Sequence, residues 1–266
     1  MSGQSITVGT LCSGSSGNCA LIRVGPTAIL IDAGRSTRYL RGALESCGIT
    51  PGEIDAIFVT HPHCDHTQAL RVWTKTYRTP VHATGVTAFE IADACAEGTL
   101  VRHPETFETD VGILRVSSFV TSHDTASSVG YRVTVREGLY AGVSFGLATD
   151  LGCVTDGVLR GMRGCRAAIV ESNHDVDMLL GGPYTPEMKR RILSRNGHLS
   201  NPDSSALSVR LAAAGTDALL LAHLSEINNT PELAYSCTKA ALDRAGLSPY
   251  LYVGARDRPV LMVDVR

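Results

Sequence analysis

The amino-acid sequence predicts an α+β fold, an αββα sandwich in which two mixed β-sheets face each other with helices outside, built as one domain over residues 1–266. Three observations lead there. Short β-branched apolar runs punctuated by Gly and Pro follow one another at 6–11, 20–24 and 28–31, before any helical pattern, and a second succession lies at 114–119, 128–135 and 144–149. Helical spacing is grouped between and after these runs, and no linker divides them. With 44% apolar and 19% charged residues, a chain of 266 residues can bury a substantial core.

After the first three strands, Leu40, Ala43, Leu44 and Cys47 show helical spacing over 39–47, and Gly48 supplies a stop. A strand at 54–59 then leads into the run Thr60-His61-Pro62-His63-Cys64-Asp65-His66. Further on, the pattern predicts a helix at 68–77, a short strand at 81–83 and a helix at 86–96 that ends before Gly98. Beyond the second run of strands comes a buried strand at 167–170, helices at 187–195, 204–214 and 232–245, and strands at 218–221 and 251–253.

The formal charge of -2 carries no global bias towards polyanions, so a nucleic-acid partner would have to be met by a local basic patch. Eight cysteines, Cys12, Cys19, Cys47, Cys64, Cys95, Cys153, Cys165 and Cys237, are scattered without a CxxC pair and read as reduced thiols. Residues 1–4 show neither a charged n-region nor the start of an apolar h-region, and the longest apolar run, 218–222, is too short to span a bilayer. The expectation is a cytoplasmic protein with no membrane partner.

Four metal-grade side chains, His61, His63, Asp65 and His66, stand within six residues directly after an apolar strand. Imidazoles with a carboxylate can hold hard or borderline cations, although a surface loop rich in histidine has the same composition. Later strand ends present His123, Asp150 and His223. Any one of these alone would read as a hydrogen-bonded structural residue. Together they form a pattern of ligands delivered to strand ends.

The spacing HxHxDH at His61, His63, Asp65 and His66 resembles the signature of the metallo-β-lactamase superfamily. That resemblance implies a dinuclear site at one edge of the two sheets, taking two divalent ions such as zinc, manganese or iron. It places His61, His63 and His123 on one ion, Asp65, His66 and His223 on the second, and Asp150 between them. Asp32, in Ile29-Leu30-Ile31-Asp32-Ala33-Gly34, corresponds to an early buried aspartate that supports the histidine loop from behind. An aspartate at position 150 is similar to hydrolase branches rather than to antibiotic-degrading enzymes, with ligation by Cys153 as the alternative. Cys64, at a variable position of the signature, is expected to be a packed thiol close enough to metal to be oxidation-sensitive.

Across nearly the whole chain the sequence resembles one branch, the YycJ/WalJ type, through Leu11-Cys12-Ser13-Gly14-Ser15-Ser16-Gly17-Asn18, Thr121-Ser122-His123-Asp124, Glu171-Ser172-Asn173-His174-Asp175, Gly197-His198-Leu199-Ser200-Asn201 and His223-Leu224-Ser225-Glu226-Ile227-Asn228-Asn229. The resemblance implies a phosphodiester hydrolase, a DNA exonuclease whose nucleophile is a hydroxide between two metals. Alternatives are hydrolysis of a small ester, thioester or cyclic phosphodiester, or a regulatory protein that keeps metal for stability.

Phosphodiester cleavage needs a proton for the leaving alkoxide, and His198 is the candidate acid, with Glu171 to orient it and Asp65 in the catalytic set. The competing reading is that His198 caps the helix at 204–214. Ser13, Ser15, Ser16 and Asn18 form a small-residue loop that can receive phosphate oxygens or pack as a tight turn under the metal loop. His174 and Asn201 are further candidate substrate contacts, with a supporting position behind the metals as the other reading of His174. His82 and His103 are given no role. The basic run Lys189, Arg190, Arg191 and Arg195, and the group Arg160, Arg163 and Arg166, are candidate DNA contacts, although charge runs are also ordinary solvated helix faces.

Overall fold

The computed structural model describes residues 5–262, so residues 1–4, on which the reading against a leader rests, lie outside the described part. The first half contributes β1 (Ile6–Cys12), β2 (Cys19–Val24), β3 (Thr27–Ile31), β4 (Ala56–Phe58), β5 (Val81–Thr84) and β6 (Leu100–His103). Between them run α1 (Thr37–Ser46), α2 (Cys64–Thr67), α3 (Leu70–Tyr77) and α4 (Gly85–Glu90). The second half contributes β7 (Glu108–Val111), β8 (Leu114–Val120), β9 (Val129–Val135), β10 (Ser144–Ala148), β11 (Ala167–Glu171), β12 (Ala218–Ala222) and β13 (Tyr250–Val253). Its helices are α5 (Asp156–Met162), α6 (Val176–Gly181), α7 (Pro186–Ile192), α8 (Asn201–Ala213) and α9 (Pro231–Arg244), and β14 (Val260–Met262) closes the order.

Two seven-stranded sheets result, in the orders β14-β1-β2-β3-β4-β5-β6 and β13-β12-β11-β10-β9-β8-β7. Both are mixed. β14, β1, β2 and β3 are joined by antiparallel ladders and β3 to β6 by parallel ones. The second sheet has the same construction, antiparallel from β7 to β10 and parallel from β10 to β13.

Side chains of alternate parity explain why the strands read as continuous apolar runs rather than alternating ones. Ile22, Ile29, Ile31, Phe58, Tyr131, Phe145, Ile169 and Leu220 fill the space between the sheets. Their neighbours Leu21, Leu30 and Ile57 pack outward with Leu40, Leu44, Leu70 and Trp73 of α1 and α3. On the other outer face Ala168, Val170, Leu219 and Leu221 meet Val158, Leu207, Leu211 and Leu242 of α5, α8 and α9. Each sheet is thus buried on both sides, as the sandwich expectation requires.

Several helices start on Ser or Thr N-caps whose side chains accept a backbone N–H three residues on, namely Ser36, Thr155, Thr185, Ser200 and Thr230. The cap of α8 is Ser200, so the competing reading of His198 as its cap is corrected. The helix expected over 86–96 breaks after Glu90, and the helix expected over 187–195 ends at Ile192. β6, β7, β14, α5 and α6 were not expected from the sequence pattern. No helix among the described residues is long and apolar enough to cross a membrane.

Candidate metal centre

Because β1, β3, β4, β8, β10, β11 and β12 all point the same way within their sheets, the loops that follow them leave at one edge of the sandwich. Crevices beyond the carboxyl ends of strands are where α/β sheets bind ligands. Asp32, Asp150 and His223 stand at or just past the ends of β3, β10 and β12, and all three have positive φ, at 63°, 58° and 57°. Left-handed backbone costs a non-glycine residue of order 1–3 kcal/mol, so it persists only where surroundings over-determine it. At His223 that determinant is visible: its N–H donates to Ser13 Oγ at 2.7 Å, and the Ser13 N–H donates to Ala255 O at 3.0 Å.

The histidine loop is held as tightly. Asp32, 2% exposed, accepts from the Thr60 N–H at 2.8 Å and meets His66 Nδ1 at 2.8 Å. Asn18, also buried, donates through Nδ2 to Asp65 Oδ2 at 3.3 Å and to Gly14 O at 3.1 Å. Gly34 lies so close beneath the loop that a Cβ there would stand 1.6 Å from the Asp65 carbonyl oxygen. No larger residue fits without moving the loop.

These supports fix which ring nitrogens face inward. With Nδ1 of His66 on Asp32, its Nε2 lies 3.4 Å from Asp65 Oδ2 and 3.3 Å from Asp150 Oδ2. His223 gives Nδ1 to Glu171 Oε1 at 2.8 Å, which leaves Nε2 3.7 Å from Asp65 Oδ2. His61 Nε2 and His63 Nδ1 are 3.1 Å apart, and His123 Nε2 lies 3.8 Å from Asp150 Oδ1. Three groups, His61 with His63 and His123, His61 with His66 and Asp150, and Asp65 with His66 and His223, each bring one ligand atom per residue within 4.8 Å of the others. A fourth contains Asp150, Glu171, His198 and His223. Both oxygens of Glu171 are already spent on hydrogen bonds, so it serves this cluster as a support.

Whether these residues suit metal ions can be judged from their unpaired atoms. His123 Nε2, His223 Nε2 and Asp150 Oδ2 are buried and have no hydrogen-bond partner among the described residues. Each buried polar atom left unpaired costs about 1–3 kcal/mol, and a cation at their common focus removes that cost. Electrostatics agrees. Burial opposes charge on His223, yet the carboxylates of Asp150, Asp65 and Glu171 around it push it up to about 10. Burial likewise opposes charge on His66, and Asp150 and Asp32 drive it well up. Burial would raise Asp65 and Asp150, but the surrounding imidazoles hold both carboxyls well below their usual range. A centre that so favours positive charge suits divalent metal, with nitrogen and oxygen donors throughout.

Glu171 is fully buried and organises the next layer. Its Oε1 meets both His223 Nδ1 and His198 Nδ1 at 2.8 Å, while Oε2 accepts the N–H groups of Leu151 at 2.8 Å and Leu199 at 3.0 Å. Burial acts to raise its carboxyl, but His198 and His223 hold it down at about 2. In turn, burial lowers His198 and Glu171 more than offsets it, raising the imidazole.

A cleft of about 310 Å³ opens on this centre, lined among others by Ser15, Asp65, His123, Asp150, His198 and His223. Of the small-residue loop, Ser15 lines it, whereas Ser16 accepts from Arg35 and Ser13 and Asn18 are buried supports. His174 and Asn201, read as substrate contacts, are each 1% exposed, and Asn201 is bound to Ser172 and Asn229. They lie beneath the cleft surface, which corrects that expectation. Cys64 is exposed rather than packed, and Cys153 lines a separate groove with Val154 and Leu207 and joins none of the ligand groups.

The basic groups divide. Lys189 donates to Leu180 O, Arg190 pairs with Glu187 and Arg166 with Asp217, while Arg160 and Arg163 line a groove with Arg210 away from the cleft. Arg191 alone of that run lines the cleft, its Nε 2.5 Å from Asp124 Oδ2. Asp124, Asn173, Tyr184, Met188, Ile192 and Ser225 also line it and were missed from sequence. The available signals were slight: Asp124 is next to His123, and Met188 and Ile192 are spaced to share one helix face.

Comparison with known proteins fits this geometry. The family described as Metallo-beta-lactamase superfamily matches residues 13–154. "Exodeoxyribonuclease WalJ" of Streptococcus pneumoniae serotype 2 is 32% identical over 242 residues, 89% of this chain and 88% of the relative. "Exodeoxyribonuclease YycJ" of Bacillus anthracis is 33% identical over 240 residues, 89% of each chain. Among solved structures, the metallo-beta-lactamase fold protein YhfI from Bacillus subtilis superposes with a TM-score of 0.73 at 14% identity, over 96% of this chain and 99% of that one, a likeness of fold. With the family matched over half of its length and these relatives over most of it, the chain belongs to the metallo-beta-lactamase superfamily, in the branch of WalJ and YycJ.

Proposed function

We propose that the protein is a dinuclear-metal-dependent phosphodiesterase that degrades DNA from an end, working in the cytoplasm, where its eight free cysteines stay reduced. The observation that carries this reading is an imidazole outside the first three ligand groups: His198 lines the same cleft and is bonded through Nδ1 to a buried carboxylate. The relatives named exodeoxyribonuclease, 32% and 33% identical, supply the substrate class.

In this reading His61, His63 and His123 would hold one divalent ion and Asp65, His66 and His223 the other, with Asp150 available to both. Bound there, two such ions supply a water of lowered pKa and neutralise charge on a phosphoryl group. Zinc, manganese and iron all accept this donor set. Everything else falls to the chain. Asp32 and Glu171 fix the tautomers of His66 and His223 so that Nε2 faces inward. His198, held through Nδ1, carries its mobile proton on Nε2 and gives it to the leaving oxygen. Arg191 places positive charge at the rim without closing the cleft.

The test uses manganese-loaded protein and end-labelled duplex DNA, with Asp65→Ala beside it. Release of mononucleotides that drops by about 10²-fold or more in the variant is expected, the scale on which losing a group central to the chemistry acts. Turnover of bis-p-nitrophenyl phosphate with no release from DNA would move the assignment to a small diester. Unchanged hydrolysis by Asp65→Ala would leave the metal a purely structural role.

A further inference from the structure

One wall of the cleft has no part in holding metal. Tyr184, Met188 and Ile192, from the segment before α7 and from α7 itself, line the same space as Asp65, Asp150 and His198. Met188 is 41% exposed, and Tyr184 and Ile192 are partly exposed. An apolar, partly aromatic surface placed against a centre of carboxylates and imidazoles is a poor neighbour for water and a good one for a ligand with a flat apolar face. Beside it stands Arg191, whose Nε is held by Asp124, leaving the rest of the guanidinium for an anion. The cleft volume of about 310 Å³ is at the small end of ligand pockets, roughly 300–1,000 Å³, with room for one nucleotide and not for a duplex.

We propose that Tyr184, Met188 and Ile192 form a nucleoside subsite: the terminal base of the strand lies on this wall, its phosphodiester reaches the metal centre, and Arg191 contacts the next phosphate. The proposal rests on the phosphodiesterase reading and deepens it. The wall offers a face for stacking, an interaction open to every base. Arg191 belongs to the anion end of the subsite, next to the ligand neighbour Asp124.

Calorimetric titration of the manganese-loaded protein with deoxyadenosine 5′-monophosphate and with 2-deoxyribose 5-phosphate isolates the base. Stacking is worth about 1–3 kcal/mol per base, so the nucleotide should bind about fivefold tighter or more than the sugar phosphate. The pair Tyr184→Ala with Met188→Ala should bring that ratio close to one, while Tyr184→Phe keeps it, because stacking does not use the hydroxyl. A ratio near one in the unaltered protein, a ratio indifferent to the alanine pair, or no binding of the nucleotide at millimolar concentration overturns the subsite. The two proposals fail separately. Preference for the nucleotide without DNA degradation removes the nuclease reading alone, and DNA degradation with no preference removes the subsite alone.

Discussion

Glu171 divides its two carboxylate oxygens among four donors, two imidazoles on one and two backbone N–H groups on the other. That arrangement keeps it ionised despite complete burial and makes His198 and His223 share one acceptor. His198 is raised by it, so in the proposed role of proton donor the sign of its pH dependence follows: the donor form is present below the raised pKa and lost as pH rises through it. His198→Ala should keep its metal content by elemental analysis, lose about 10²-fold in kcat, and lose that basic limb of the pH profile. Full turnover in this variant would assign the proton to another donor. At this scale the histidine spacing was open to reading, because metal-grade side chains close in sequence leave a local signature. The bond from Glu171 to His223 was not, since it depends on β11 lying beside β12 in a register that pairs Glu171 with Ala222.

Four rings stack in series from β4 to the approach of β7: Phe58 on His82 at 4.6 Å, His82 on His103 at 5.1 Å and His103 on Phe107 at 4.0 Å. Neither histidine had a role in the sequence reading, because stacking across β4, β5 and β6 is a property of their register. Burial lowers His82 from 6.5 to about 4, helped by His103. The unfolded chain therefore takes up this proton first. The contribution is complete above pH 6.5 and is lost as pH falls towards 4, a difference of about 3 kcal/mol at about 1.4 kcal/mol per unit. Urea unfolding of His82→Leu across that range should show an acid loss smaller by about that amount, and equal acid sensitivity of both proteins would rule the idea out. Long strands and amphipathic helices were legible through their periodicity. β6, with intermediate and exposed residues, and β14, with three residues, bury too little to leave an apolar pattern, and α6 spans fewer than two turns.

At the scale of the whole molecule, the expected pair of sheets stands, and the two are built alike, with three antiparallel ladders and three parallel ladders in each. What sequence reasoning could not supply was the membership of β14, which joins the first sheet rather than the second. Val8 pairs with Met262 and Thr10 with Val260, and a Cβ at Gly9 would stand 2.2 Å from the Val260 carbonyl oxygen. Shortening the chain to end before residue 260 should expose the β1 edge, and light scattering of the shortened protein should report association that the full chain does not show. A monodisperse shortened protein would contradict this.

The same pairing has a meaning in time. On the ribosome β1 is made long before β14, so while everything between them is synthesised the growing chain carries an unsatisfied strand edge beside the Ser13 loop that will seat His223. His223 itself emerges some two hundred residues after that loop. On the proposed assignment of ligands, a ribosome stalled before β12 would therefore display the histidine loop without His223, and the group of Asp65, His66 and His223 would still lack one member.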